Sequence, residues 1–110
     1  MSYTSDEVVA RIERLSITRL ETWVAADCVR PETADGDPTF TETDLARLRL
    51  LCTLRDDFEV NEEALPLVLS LLDQLHGVRR VLRHLTEAVE RQPKPVRDEI
   101  ARIFSETSGR

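Results

Sequence analysis

Residues 29–44 read VRPETADGDPTFTETD. Pro31 stops a helix arriving from the N-terminal side, because it lacks an amide proton and its ring crowds the preceding turn. Asp35-Gly36 is a dipeptide that a tight hairpin selects, since both central residues of a type I′ turn need positive φ. Thr39-Phe40-Thr41 is a short β-favouring run. The stretch therefore predicts a small hairpin hung between helices. Its charge is one-sided, with Glu32, Asp35, Asp37, Glu42 and Asp44 against Arg30 alone.

Helical patterns flank the hairpin. Ser5 is placed to cap a first short helix in which Val8, Val9 and Ile12 face inward, with Asp6 and Glu7 in the first turn where the helix dipole favours anions. Leu15 to Ile17 turns the chain. Thr18 is placed to cap a second helix, Glu21 completes a capping box, and Leu20, Trp23 and Val24 supply the apolar stripe. Two short helices on a tight turn, followed by a hairpin, have the spacing of a helix-turn-helix with a wing. Thr43-Asp44 opens a third helix, where Leu45, Leu48, Leu51, Cys52 and Leu54 recur at helical spacing until Phe58.

Asn61 is placed to cap a long helix running to Gln92. Its residues Val68, Leu71, Leu75, Val78, Leu82, Leu85 and Val89 alternate at three and four, which is the seam of a coiled coil. Pro66 is tolerable because it falls in the opening turn. Some thirty helical residues span about 45 Å, well beyond the roughly 13 Å radius of gyration of a compact chain this size, so the helix is expected to project. Pro93-Lys94-Pro95 breaks it. Val96, Ile100, Ile103 and Phe104 then form one face of a short terminal helix before a polar tail, Ser105 to Arg110. The reading is a mainly helical, all-α chain divided as a 1–60 winged core, a 61–92 dimerisation helix and a 93–110 terminal segment, all one compact unit. The seam needs a cover, either the same helix of a second chain or the terminal helix folded back. Nine residues from Val96 to Phe104 reach about 14 Å, enough for Leu85 and Val89 only, so a symmetric homodimer is expected.

Composition bounds the function. A chain of 110 residues is one domain, and its 41% hydrophobic and 33% charged residues, with 5% aromatics and three glycines, suit a helical globule. Cys28 and Cys52 are too few for a disulfide framework and sit among apolar neighbours, as buried thiols of a reducing cytoplasm do. The segment MSYTSDEVVARIERL lacks the basic and apolar regions of a secretory signal, and no apolar run is long enough for a membrane span. The expected location is cytoplasmic. No Cys-x-x-Cys, Gly-rich phosphate loop or nucleophile elbow is present. His76 and His84 are eight residues apart on one helix, too distant to share a metal. Neither catalysis, nor a metal, nor a cofactor is expected. Arg79, Arg80 and Arg83 form one basic cluster, read as the flank of the coiled coil, with contact to an acidic partner helix or to nucleic acid as the alternative.

The net charge of −6 is uneven. Through Leu45, four arginines face ten acids, and the remaining eleven bases and eleven acids cancel. A winged DNA reader lays its second helix in the major groove and its wing on the backbone, and makes about 6 to 10 phosphate contacts. This helix offers Arg19 alone, beside Glu21 and Asp27. Glu32, Asp35 and Asp37 would repel a phosphate chain, so DNA binding is not expected. The plain alternative for these acids is solvated surface. Trp23 is placed as a core anchor between the first two helices; exposed beside Arg19, it would instead be a protein-binding hot spot.

The order of a short helix, the turn LSITRLETWV, the Pro-containing hairpin, the helix TETDLARLRLLCTLRDDF, the NEEAL start and the heptad helix resembles the MerR type of winged helix, over Val8 to about Val89. Within that superfamily the small size, the lack of an effector domain after the coiled coil and the acidic wing resemble the CbpM chaperone-modulator family. That resemblance implies a protein that binds the J-domain of a DnaJ/CbpA-like co-chaperone and inhibits its work with DnaK. It also implies a basic J-domain helix as the surface met, while the broader MerR resemblance implies antiparallel long helices in the dimer. Arg19, Trp23, Glu32, Asp35 and Asp37 are the partner-binding candidates on this reading. The alternatives are a MerR-family transcriptional regulator, which the N-terminal charge opposes, and a dimer with a partner unrelated to chaperones.

Overall fold

The computed structural model describes residues 1–108. Five helices and one hairpin follow in the order α1 (Ser5–Arg11), α2 (Ile17–Ala25), β1 (Glu32–Ala34), β2 (Asp37–Thr39), α3 (Glu42–Asp56), α4 (Leu65–Glu90) and α5 (Lys94–Ser108). The chain is mainly helical, a winged helix-turn-helix continued by a long helix, as its periodicities predict. No helix among the described residues is long and apolar enough to cross a membrane.

Three helix starts lie upstream of the predicted ones. Thr4, not Ser5, caps α1, its hydroxyl accepting from the Glu7 amide while the Glu7 carboxylate accepts from the Thr4 amide. Thr41, not Thr43-Asp44, caps α3 in the same reciprocal box with Asp44. Ser16, not Thr18, caps α2 by accepting from the Arg19 amide. Glu21 is therefore no part of a capping box, and its carboxylate is left on the exposed surface of α2. Thr18 lies inside the helix, where its carbonyl accepts from the Thr22 hydroxyl. Helix α3 ends at Asp56, two residues before Phe58.

The hairpin forms as its punctuation demands. Glu32 pairs with Thr39, Thr33 with Pro38 and Ala34 with Asp37 in antiparallel register. Asp35 and Gly36 both take positive φ, 53° and 85°, the requirement of a type I′ turn. Beyond β2, Tyr3 and Phe40 exchange backbone hydrogen bonds of 2.8 and 2.9 Å. This bridge adds the chain's first residues to the wing, and the Tyr3 hydroxyl donates to Glu42 at the start of α3.

By its contacts the chain forms two compact units, Met1–Leu71 and Leu72–Arg110. In the first, Val8 and Ile12, Leu15, Leu20 and Trp23, Phe40, and Leu45, Leu48 and Leu51 close one core together with Cys28 and Cys52, both free thiols. Burial pushes both thiols up from the usual cysteine range. Leu65 and Leu69 complete this core. The opening turns of α4 thus have a buried face that the seam reading, begun at Val68, overlooked. Asn61 stands one turn ahead of α4, its side-chain oxygen accepting from the Ala64 amide at 2.8 Å.

The second unit holds the rest of α4 and all of α5. Its terminal helix has 15 residues rather than nine, because Pro95 sits in the first turn, where no amide donor is needed. The segment read as a polar tail continues the helix through Ser108. Arg102 pairs with Glu99 and Glu106 one turn to either side, and the Thr107 hydroxyl donates to the Ile103 carbonyl. Gly109 and Arg110 lie outside the described residues. The predicted seam is uncovered in the single chain: Leu75 is 44% exposed and Leu85 58%, with Leu71, Val78 and Leu82 alike. Leu85 is therefore not shielded by a folded-back α5. Val68 and Val89 are half-buried, whereas Val96, Ile100, Ile103 and Phe104 lie exposed along α5.

Candidate winged interface

In a helix-turn-helix the outward side of the second helix and the adjoining wing form the working surface. Its character here follows from where the arginines point. Arg19, the sole base of α2, folds back across the turn. Its Nη2 donates to Asp56 Oδ1 at 2.6 Å and its Nη1 to Asp56 Oδ2 at 2.9 Å. Nη1 also donates to the Arg14 carbonyl at 3.0 Å, and the guanidinium lies 5.3 Å from the centroid of the Trp23 ring. The two-pronged bond raises the Arg19 pKa and holds the Asp56 carboxyl below the usual aspartate range. Arg14 forks onto Asp57 at 2.9 and 3.3 Å.

Three other bases of this unit, Arg47, Arg55 and Arg11, are also engaged within it. Arg47 Nε donates to the Cys28 carbonyl at 2.6 Å. Arg55 Nε donates to Glu62 Oε1 at 3.1 Å, and the second oxygen of Glu62 accepts from the indole Nε1 of Trp23 at 2.9 Å. Arg11 stacks over Tyr3, 4.6 Å from its centroid. Among the described residues up to α3, only Arg30 and Arg49 keep no such partner.

Trp23 is fully buried, at 0% exposure, so it is the core anchor and not a contact. Of the other predicted partner-binding residues, Arg19 is committed to Asp56, while Glu32, Asp35 and Asp37 stand together on the exposed hairpin. No ion pair or hydrogen bond engages the carboxylates of Glu21, Asp35 or Asp37 among the described residues. His76, His84 and the three arginines between them lie exposed on α4.

Between α2 and the wing lies a cleft of about 250 Å³ that the sequence did not announce. Ile17, Leu20, Val24 and Ala25 of α2 form one wall, Pro38 and Phe40 the other, with Ser5 and Glu21 supplying the polar lining. Its halves lie on either side of the hairpin turn, so no local spacing could reveal it. Asp56 and Glu62, which organise Arg19 and Trp23, were missed for the same reason.

No curated protein and no solved structure matches the chain. The profile described as MerR HTH family regulatory protein matches residues 4–87, from the cap of α1 to near the end of α4, and so spans the helix-turn-helix, the wing and the seam as far as Leu85. The chain belongs to the MerR HTH family.

Proposed function

We propose that this member of the family is a non-catalytic chaperone modulator of the CbpM kind. In this reading it binds the J-domain of a DnaJ/CbpA-like co-chaperone through its acidic winged face, and so inhibits the stimulation of DnaK. It acts in the cytoplasm as a homodimer closed through the α4 seam, and needs no cofactor. One observation carries the reading: the only arginine of the second helix is locked onto Asp56, which leaves Glu21 and the wing acids on the surface that a DNA reader fills with bases. Bringing that surface to a duplex sets carboxylates against phosphates, and the counterion release that supplies much of DNA affinity has little source beyond Arg30 and Arg49. A basic helix of a J-domain, as the CbpM resemblance implies, complements it.

The family match itself supports a DNA-binding regulator equally, and charge is what separates the two readings. Changing Asp35 and Asp37 together to Lys is expected to slow association with the J-domain and weaken it about tenfold at low salt, with the loss shrinking as salt rises. Calorimetric titration against the J-domain of a CbpA-like protein measures this. An affinity unchanged in the double variant removes the wing from the interface.

A further inference from the structure

The cleft between α2 and the wing combines a carbon floor with an anionic edge. Ile17, beside it, is 40% exposed, an apolar side chain where a groove-reading helix would carry a polar one. Glu21 lines the cleft with an unpaired carboxylate. Asp37 precedes the lining residue Pro38, and Asp6 follows Ser5. Small-molecule pockets enclose about 300–1,000 Å³ and converge several polar groups on the ligand. This cleft is smaller, at about 250 Å³, and its lining offers just Ser5 and Glu21 as polar side chains. It suits a protruding side chain of a larger partner.

Charge identifies that partner. Duplex DNA would bring phosphates up to the acidic rim, and the thymine methyl it presents in the major groove is far smaller than an aliphatic side chain. Helix α5 of a second copy carries Lys94, Arg97 and Arg102 against Asp98, Glu99 and Glu106, a neutral set with no preference for an acidic rim. A basic amphipathic helix satisfies both features at once. Residues three and four positions either side of one aliphatic residue share its face, and lysine or arginine stems there lie along apolar walls while their heads reach the carboxylates.

We propose that this cleft is an anchor site that seats one aliphatic side chain of a basic helix, with Glu21 and the wing aspartates pairing with the bases around it. The proposal rests on the reading of the winged face as a protein-binding surface, and adds a contact that charge alone does not provide. Burying one leucine side chain there strengthens binding roughly tenfold or more.

Two probes test it separately from the identity of the partner. One is a lysine-rich helical peptide of about 15 residues with a single central leucine, alongside its leucine-to-alanine counterpart. The other is the CbpA-like J-domain. Methyl NMR of the full chain is expected to show the leucine peptide shifting Ile17, Val24 and Ala25, with the alanine peptide about tenfold weaker. Ala25→Trp, at an exposed position, fills the cleft and is expected to weaken both probes about tenfold, with the thermal melt confirming an intact fold; Glu21→Lys is expected to do the same at low salt. A J-domain that binds wild type and Ala25→Trp alike overturns the anchor and leaves the modulator reading standing. A leucine peptide that shifts these methyls while the J-domain does not bind supports the anchor and removes that partner. Equal binding of the two peptides overturns the anchor, as does the absence of any shift. Duplex DNA shifting the same methyls with a steep salt dependence overturns both readings.

Discussion

Arg19 satisfies three groups, the Asp56 carboxylate, the Arg14 carbonyl and the Trp23 ring, and so ties the helix-turn-helix to the end of α3. Replacing it removes a tie rather than a ligand. Asp56 gives the pH signature of this arrangement. Its folded pKa is depressed, chiefly by the bond from Arg19, so its contribution to stability is complete above the unfolded aspartate value of about 3.9. The contribution is lost as pH falls through the folded value. Thermal melts of wild type are therefore expected to decline more steeply with acid below about pH 4 than those of Asp56→Asn, which has no carboxyl to protonate there. The two variants should differ most near neutrality and converge in acid. Parallel curves across that range would show that Arg19 takes little from Asp56.

At the scale of elements, sequence rules located every helix but not every boundary. Thr4-x-x-Glu7 and Thr41-x-x-Asp44 are true capping boxes, each hidden by a second plausible cap one or two residues on. Thr18-x-x-Glu21 is a false one, because Ser16 satisfies the amide of Arg19 first and α2 is already under way at Ile17. The hairpin's place and turn were legible, since Asp35-Gly36 encodes its own turn, but its second strand is Asp37–Thr39 rather than the run Thr39 to Thr41, because Thr41 is taken as the cap of α3. What lay beyond reading were pairings such as Arg19–Asp56 and Trp23–Glu62, 37 and 39 residues apart, and the cleft that α2 and the wing share. The exposed seam of α4 bears on assembly. Leu75→Glu with Leu82→Glu places charges where a second helix would bury them, each costing several kcal/mol in a dry interface. Light scattering at tens of micromolar is expected to give the mass of two chains for wild type and one for the double variant. A wild-type mass of one chain would refute the dimer.

For the whole molecule, the net charge of −6 matters less than its distribution. The arginines of the winged unit are largely spent on its own carboxylates, carbonyls and rings, while its free acids remain on the face that relatives of this architecture turn toward nucleic acid. On the proposed reading, fold and function part company here, as shared architectures allow. No salt-sensitive retardation of duplex DNA is expected at micromolar protein and about 150 mM salt, because too few phosphates could be neutralised to release counterions. A shift that disappears steeply as salt is added would restore the regulator reading.

The two enclosed thiols make the first unit its own timekeeper. Cys28 comes just after α2 and Cys52 lies within α3, both sealed in one core and both disfavoured as thiolates by burial. A thiol-specific reagent attacks the thiolate, so labelling must wait until the core opens, and its rate reports the free energy of that opening when closing is fast. If the core opens as one body, both cysteines acquire the label at rates with the same denaturant dependence. Faster labelling of Cys28 would mean that the hairpin side opens first, before α3 releases Cys52.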